Sequence, residues 1–227
     1  MFDPAKTKAV LWDLDDTLYS RRAAAEKVFP GMLKAHLYPS ASDAALQEMV
    51  AYMMTQVKRN TMIHEDMFQA LITKYPPELP YDRSRCVDHY YLHFPEFVQP
   101  YPETLAILRK LRTAGIKTGL ITNIPQDRVA PQWAKIRALR LPEMMDVVVV
   151  SGELGIHKPD VRIFEHAANS LGVRPEECVF VGDDPGTDIP GALASGMETV
   201  WLDVWNSENR FPGAYKVRSV TEYFCNL

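Results

Sequence analysis

Five aspartates, one threonine, one asparagine and one lysine carry most of the chemistry this sequence offers. Asp13 and Asp15 stand two apart in DLDDTL (13–18), and Asp183, Asp184 and Asp188 crowd into GDDPGTDIPGA (182–192). Between them come Thr122 and Asn123 in ITN (121–123) and Lys158 in HKPD (157–160). Carboxylates this dense repel one another if they share a cleft. A hard divalent cation with oxygen ligands relieves that repulsion, and Mg²⁺ fits best. The Thr122 hydroxyl, the Lys158 ammonium and loop N–H groups would face such a metal as donors to an anion. Metal and carboxylates on one side, with donors on the other, make a clamp for a phosphoryl group.

These groups are far apart in sequence, so a fold must gather them. Lys8–Trp12 is a short apolar strand. From about Ser20 to Leu79 the apolar residues recur at three- and four-residue steps, as in Leu46, Met49, Val50, Met53 and Val57, which is a helical pattern. Prolines at 76, 77 and 80 end it, and Arg83–Phe94 is one more helix. After Pro102 the pattern alternates. Helices are expected at 103–114, 126–139, 159–171 and 189–195. Strands are expected at 116–122, 146–150, 178–181 and 199–202. The four valines at 147–150 suit a strand buried on both faces. Alternation of this kind gives an α/β fold with a doubly wound parallel sheet, a Rossmann-like core. Chemistry in such sheets sits beyond the carboxyl ends of the strands. Every group named above falls there. The helical block interrupts the alternation and is expected to be an inserted all-helical cap domain. The division is then 1–18 with 98–227 for the core and 19–97 for the cap.

Bulk properties narrow the partners. The 227 residues include 25 Lys plus Arg and 29 Asp plus Glu, a net charge of −4, with 47% hydrophobic and 24% charged residues. That is an ordinary globular composition with no general field for nucleic acid or anionic membrane. Three cysteines (86, 178, 225) show no metal spacing and cannot complete a disulfide framework, so reduced thiols in the cytoplasm are expected. The run 9–12 is too short for a signal-peptide core, and no apolar stretch reaches the span of a membrane helix. No feature sets an oligomeric state.

DLDDTL, ITN, HKPD and GDDPGTDIPGA, in that order and at these intervals, resemble the four motifs of the haloacid dehalogenase superfamily. The resemblance covers the whole core. It implies that Asp13 is the nucleophile that forms an aspartyl-phosphate. It makes Asp15 the group that protonates the leaving alcohol and then deprotonates water. Thr122 and Asn123 would bind phosphoryl oxygens, and Lys158 would neutralise the nucleophile and the transferring group. Asp183 would hold Mg²⁺ together with Asp13 and the Asp15 carbonyl. Asp188 would orient Lys158 or the metal loop, and Asp184 would act through water. Because haloacid dehalogenases proper lack the acid at Asp15, its presence points to phosphoryl transfer. The expected activity is a Mg²⁺-dependent phosphatase of a small phosphorylated metabolite, of nucleotide or sugar-phosphate type. The helical insertion resembles the superfamily's first-position cap. One departure concerns the residues after Asn123. The family often has Gly there, whereas Ile124 and Pro125 stand here, with less room for close backbone approach.

Plainer readings accompany each motif. Strand-end aspartates often cap helices. A methionine-rich helix (Met49, Met53, Met54) is ordinary core. His64, His89 and His93 show no compelling ligand spacing, and Arg21 and Arg22 suit a solvated helix start. Two functional alternatives remain. One is a phosphomutase, which returns the phosphoryl group to its substrate. The other is a non-catalytic signalling protein on the same fold, which would be expected to lack a nucleophile or metal ligand.

Overall fold

The computed structural model describes residues 1–58 and 61–227. By its internal contacts the chain divides into two compact units. Met1–Ser20 and Pro100–Leu227 form one, and Arg21–Gln99 the other. Against the expected division at 18/19 and 97/98, Tyr19 and Ser20 fall in the first unit, where Tyr19 bridges Pro100, and Val98 and Gln99 fall in the second.

The first unit is built on a six-stranded sheet in which every pairing is parallel. Its strands are β1 (Ala9–Trp12), β2 (Lys117–Thr122), β3 (Val147–Val150), β4 (Cys178–Gly182), β5 (Glu198–Leu202) and β6 (Ala214–Val217). They lie in the order β3-β2-β1-β4-β5-β6. The doubly wound α/β expectation therefore holds. The winding direction reverses beside β1, between β1 and β4, and a ligand crevice opens outside the carboxyl ends at such a reversal.

Alternation along the strands sends neighbours to opposite faces. Leu11 joins Ile121, Phe164 and Phe180 in one buried cluster, while Trp12 stacks with Phe224 on a 5.6 Å centroid separation. Gly119 on β2 lets the strands close up, since a Cβ there would lie 2.6 Å from both Leu11 and Val147 side-chain atoms. The four-valine strand departs from expectation in one respect. β3 is an outermost strand, so Val147 and Val148 are only half-buried.

Helices are numbered along the whole chain. The second unit supplies α1 (Arg21–His36), α2 (Asp43–Thr55), α3 (Glu65–Lys74) and α4 (Arg83–His93). The first unit then continues with α5 (Pro102–Thr113), α6 (Val129–Ala138), α7 (Ser151–Leu154), α8 (Val161–Ser170), α9 (Asp188–Ala194) and α10 (Val220–Tyr223). α8 buries Ile163, Phe164, Ala167 and Ala168, one face at helical spacing. Pro131 sits in the first turn of α6, where its missing N–H costs nothing. β6, α7 and α10 escape the sequence pattern. Each is four residues long, and β6 buries only Val217 well.

Among the described residues, the named elements of the second unit are all helices. α2, α3 and α4 are N-capped by Ser42, His64 and Asp82, whose side chains accept backbone N–H groups of the first turn. Met49, Met53, Met54 and Met67 are buried with Phe29, Phe68 and Tyr90, an ordinary apolar core. His36, His89 and His93 come together across α1 and α4, with 3.1 Å between His36 Nε2 and His89 Nδ1. Burial and the other two rings lower the His89 pKa. Arg22 pairs with Glu26 on its own helix. All three cysteines are free, and among the described residues no helix is long and apolar enough to cross a membrane.

Candidate functional site

The site forms where β1, β2 and β4 end. β1 runs out at Trp12, so Asp13 is the first residue beyond a fully buried strand, and its N–H still donates to Val181 on β4 at 2.8 Å. The chain then turns sharply. Asp16 takes a left-handed backbone with φ 62°, a geometry that Asp tolerates better than most residues. Thr17 is buried, and its hydroxyl faces Asp13 Oδ2 at 3.4 Å.

Lys158 reaches the same point from the loop before α8. Its ammonium lies 2.5 Å from Asp13 Oδ1, 2.7 Å from Asp188 Oδ1 and 2.9 Å from the Ile121 carbonyl. A lysine side chain only 1% exposed is retained in such a place only with partners of this kind. Asp13, Asp183 and Asp188 bring one carboxylate oxygen each to within 4.8 Å of the others, all three residues buried. Lys158 offsets one of these three negative charges. The remaining two match a divalent cation, and three hard oxygen donors are the ligands that such an ion prefers. The donor set therefore fits a metal ion. Its side-chain members are Asp13, Asp183 and Asp188. Asp188, expected mainly to orient Lys158, faces both the lysine and the candidate metal position.

The electrostatics follow from this crowding. Burial pushes the Asp13 carboxyl up to about 7, with Lys158 opposing and Asp188 and Asp15 adding to it. Burial raises Asp188 as well. Burial alone would lower Lys158, but Asp13 and Asp188 more than offset this, so it stays firmly protonated.

The Asp183–Asp188 loop is self-supporting. Asp184 accepts Gly186 N–H at 2.7 Å and the Thr187 hydroxyl at 2.9 Å, so this aspartate shapes the turn. Asp188 accepts the Asp184 N–H at 3.1 Å. Trp201 on β5 donates its indole N–H to the Asp183 carbonyl at 3.0 Å, holding the loop from the neighbouring strand.

Thr122 ends β2 with its side chain buried. The structure adds a bond pattern for Asn123. Its side chain donates to the Lys158 carbonyl and accepts the Lys158 N–H, both at 2.9 Å. Asn123 thus staples β2 to the lysine loop with its carbonyl oxygen and one of its two amide hydrogens. The next residue is fixed too. Ile124 N–H donates to Ser151 Oγ at 2.9 Å, and that hydroxyl returns a bond to the Ile124 carbonyl.

Asp15 holds the largest surprise. The sequence sets it among negative charges, yet Lys135 Nζ on α6 lies 2.8 Å from its Oδ1. The Tyr19 hydroxyl donates to the same oxygen. Gln132 Nε2 lies 3.5 Å from its Oδ2 and 2.5 Å from Thr122 Oγ1. Sequence reasoning singles out none of Tyr19, Gln132 and Lys135. The available signal is weak: a glutamine and a lysine three apart on the helix that follows ITN, which places them on one face.

Comparison with known proteins bears on this arrangement. The family model for haloacid dehalogenase-like hydrolases matches residues 7–196. The chain is 34% identical over 196 residues to a glyceraldehyde 3-phosphate phosphatase of Methanopyrus kandleri, covering 85% of this chain and 82% of that one. It is 30% identical over 221 residues to the enzyme of the same name from Methanocaldococcus jannaschii, covering 95% and 90%. Among solved structures it is similar to a HAD phosphatase from Thermococcus onnurineus, with a TM-score of 0.59, 26% identity and 96% of each chain covered.

Proposed function

Because the chain belongs to the haloacid dehalogenase-like hydrolases, we propose that it is a phosphatase that hydrolyses a small sugar phosphate through an aspartyl-phosphate on Asp13. One observation carries the reading: Lys158 holds a buried carboxylate at the end of β1 within 2.5 Å, beside two further buried carboxylates. The relatives named glyceraldehyde 3-phosphate phosphatase support a short sugar phosphate as substrate.

Each residue has a distinct part in the reaction. The side chains of Asp13, Asp183 and Asp188, with the Asp15 carbonyl, would hold Mg²⁺. That ion, when bound, neutralises charge on the phosphoryl oxygens. Lys158 supplies the protein's own positive charge at the nucleophile. Gln132 donates to Thr122 Oγ1, which turns the threonine's proton elsewhere and leaves it available to a phosphoryl oxygen. An Asp13 oxygen attacks phosphorus, and the bond from phosphorus to the ester oxygen breaks. Asp15 gives its proton to the departing alkoxide. Water then attacks the aspartyl-phosphate and Asp15 takes the water proton. The bond from phosphorus to Asp13 breaks, releasing phosphate and restoring Asp15 in its acid form. The helical unit Arg21–Gln99 is read as the inserted cap domain. The substrate is read as a cytoplasmic metabolite.

The test is phosphate release from glyceraldehyde 3-phosphate and from p-nitrophenyl phosphate with Mg²⁺, for the wild type and Asp15→Ala. Release that EDTA abolishes is expected. Asp15→Ala should lose about 10²–10⁴-fold on the sugar phosphate and less on the aryl ester, whose leaving group needs no proton. Recovery of an isomerised sugar phosphate without free phosphate would replace the reading with a mutase.

A further inference from the structure

α6 presents two polar side chains, three residues apart, to the strand ends. Gln132 is fully buried and Lys135 is 8% exposed. Burying a lysine to this extent is costly unless the ammonium gains partners. Its partner is the Asp15 carboxylate at 2.8 Å, with the Tyr19 hydroxyl 3.4 Å away. Tyr19 itself donates to the same Asp15 oxygen. The carboxylate is thus gripped on Oδ1 by a cation and a phenol, while Oδ2 faces Gln132. An aspartate side chain rotates about two bonds, so without such a grip its oxygens sweep several positions. Proton transfer to a leaving oxygen demands one of them. A misplacement of about 1 Å is enough to cost on the order of 10²-fold in rate.

Lys135 stands on a different element from the motif residues. Its helix also carries Gln132, whose amide holds Thr122 Oγ1. One helix face therefore fixes the group that would bind the phosphoryl and the group that would move the proton. An ordinary surface ion pair has neither this burial nor this placement.

We propose that Lys135 is a positioning residue for Asp15, setting the orientation of its carboxylate toward the leaving oxygen. The proposal rests on the phosphatase reading above, in which Asp15 is the acid. Lys135 acts through Asp15 and contributes no proton of its own to the reaction.

The experiment measures kcat and KM for the wild type, Lys135→Met, Lys135→Arg, Asp15→Ala and the double variant Asp15→Ala/Lys135→Met. Each is assayed with Mg²⁺ on glyceraldehyde 3-phosphate and on p-nitrophenyl phosphate. Lys135→Met should lose about 10–100-fold in kcat on the sugar phosphate and distinctly less on the aryl ester, with KM little changed. Lys135→Arg, which keeps a cation of similar reach, should recover most of the loss. The double variant should be no slower than Asp15→Ala alone, because a positioning residue has nothing left to position. Equal losses on both esters, or losses that multiply in the double variant, would overturn the proposal in favour of a purely structural lysine. Should Lys135→Met fail to fold by circular dichroism, Lys135→Gln and Lys135→Arg carry the same comparison. A wild type that releases no phosphate overturns the phosphatase reading, an Asp15→Ala variant that loses equally on both esters overturns the acid role of Asp15, and either takes the role of Lys135 with it. Those outcomes are seen without any Lys135 variant, so the two failures are told apart.

Discussion

Gly182 and Asp188 meet where nothing larger than hydrogen fits. A Cβ built on Gly182 would lie 2.4 Å from Asp188 Oδ2 and 2.7 Å from its Cγ. The last residue of β4 is therefore a glycine for the sake of a carboxylate six residues later. That carboxylate touches Lys158 and shares the candidate metal position. Gly182→Ala should keep the fold but push Asp188 aside. The Mg²⁺ concentration for half-maximal phosphate release should rise by about 10–100-fold. Calorimetric titration with Mg²⁺ should show the same weakening. Unchanged metal dependence would mean that Asp188 is no ligand.

Asp13→Asn keeps the shape of the side chain but removes the nucleophile and its charge. Turnover should fall by 10³-fold or more, as an order of magnitude for loss of a covalent nucleophile, with a wild-type circular dichroism spectrum. Mass spectrometry of the acid-quenched wild type should find one phosphoryl group on the Asp13 peptide, and none in the variant. Substantial turnover by Asp13→Asn excludes the covalent route.

Asn123→Ala removes both bonds between its side chain and the Lys158 backbone, each 2.9 Å long, and leaves the Lys158 ammonium on the Ile121 carbonyl. The expected loss of stability is about 1–3 kcal/mol, read from urea unfolding. Catalysis should fall as well, because the Lys158 backbone loses its tether. Loss of stability with full activity would show that the lysine is held well enough by Asp13 and Asp188.

The metal-free protein should lose stability as pH rises. Burial lifts Asp13 from its ordinary 3.8 to about 7, so between those values the folded chain holds a proton that the unfolded chain has released. The stabilisation is full below about pH 4 and is lost as pH passes through about 7. Asp188 is raised too and acts with the same sign. In EDTA the melting temperature should therefore fall from pH 5 to pH 8, and Asp13→Asn should flatten that fall. Mg²⁺ binds the ionised carboxylates, so the melting temperature it restores should grow over the same range. A melting temperature that rises toward pH 8 without metal contradicts the burial argument.

The gathering of Asp13, Thr122, Lys158, Asp183 and Asp188 at one sheet edge is legible because strand ends are legible. Short apolar runs such as Ala9–Trp12 and Val147–Val150 stop abruptly at polar residues, and a parallel sheet sends all those stops to one side. The task of Asn123 is not legible, since an amide can face a ligand or a loop equally well and only coordinates choose. The Lys135–Asp15 pair is hidden for another reason. The two residues are 120 positions apart, and a lone lysine on an amphipathic helix ordinarily points to water. β6 and α10 escape notice because four half-buried residues carry too little periodicity to register.

β1 lies in the interior of the sheet, with Ala9 opposite Lys117 on one side and Cys178 on the other. Synthesis runs from this strand toward its partners, and both of them emerge more than a hundred residues later. Until then four apolar residues, the segment on which the nucleophile is mounted, have no ladder to join. The sheet cannot close from its amino-terminal end. Its assembly waits on the most distant pairings in the chain, which are the slow kind. A nascent chain stalled before β2 would leave this strand exposed as a sticky segment that a chaperone would be expected to shield.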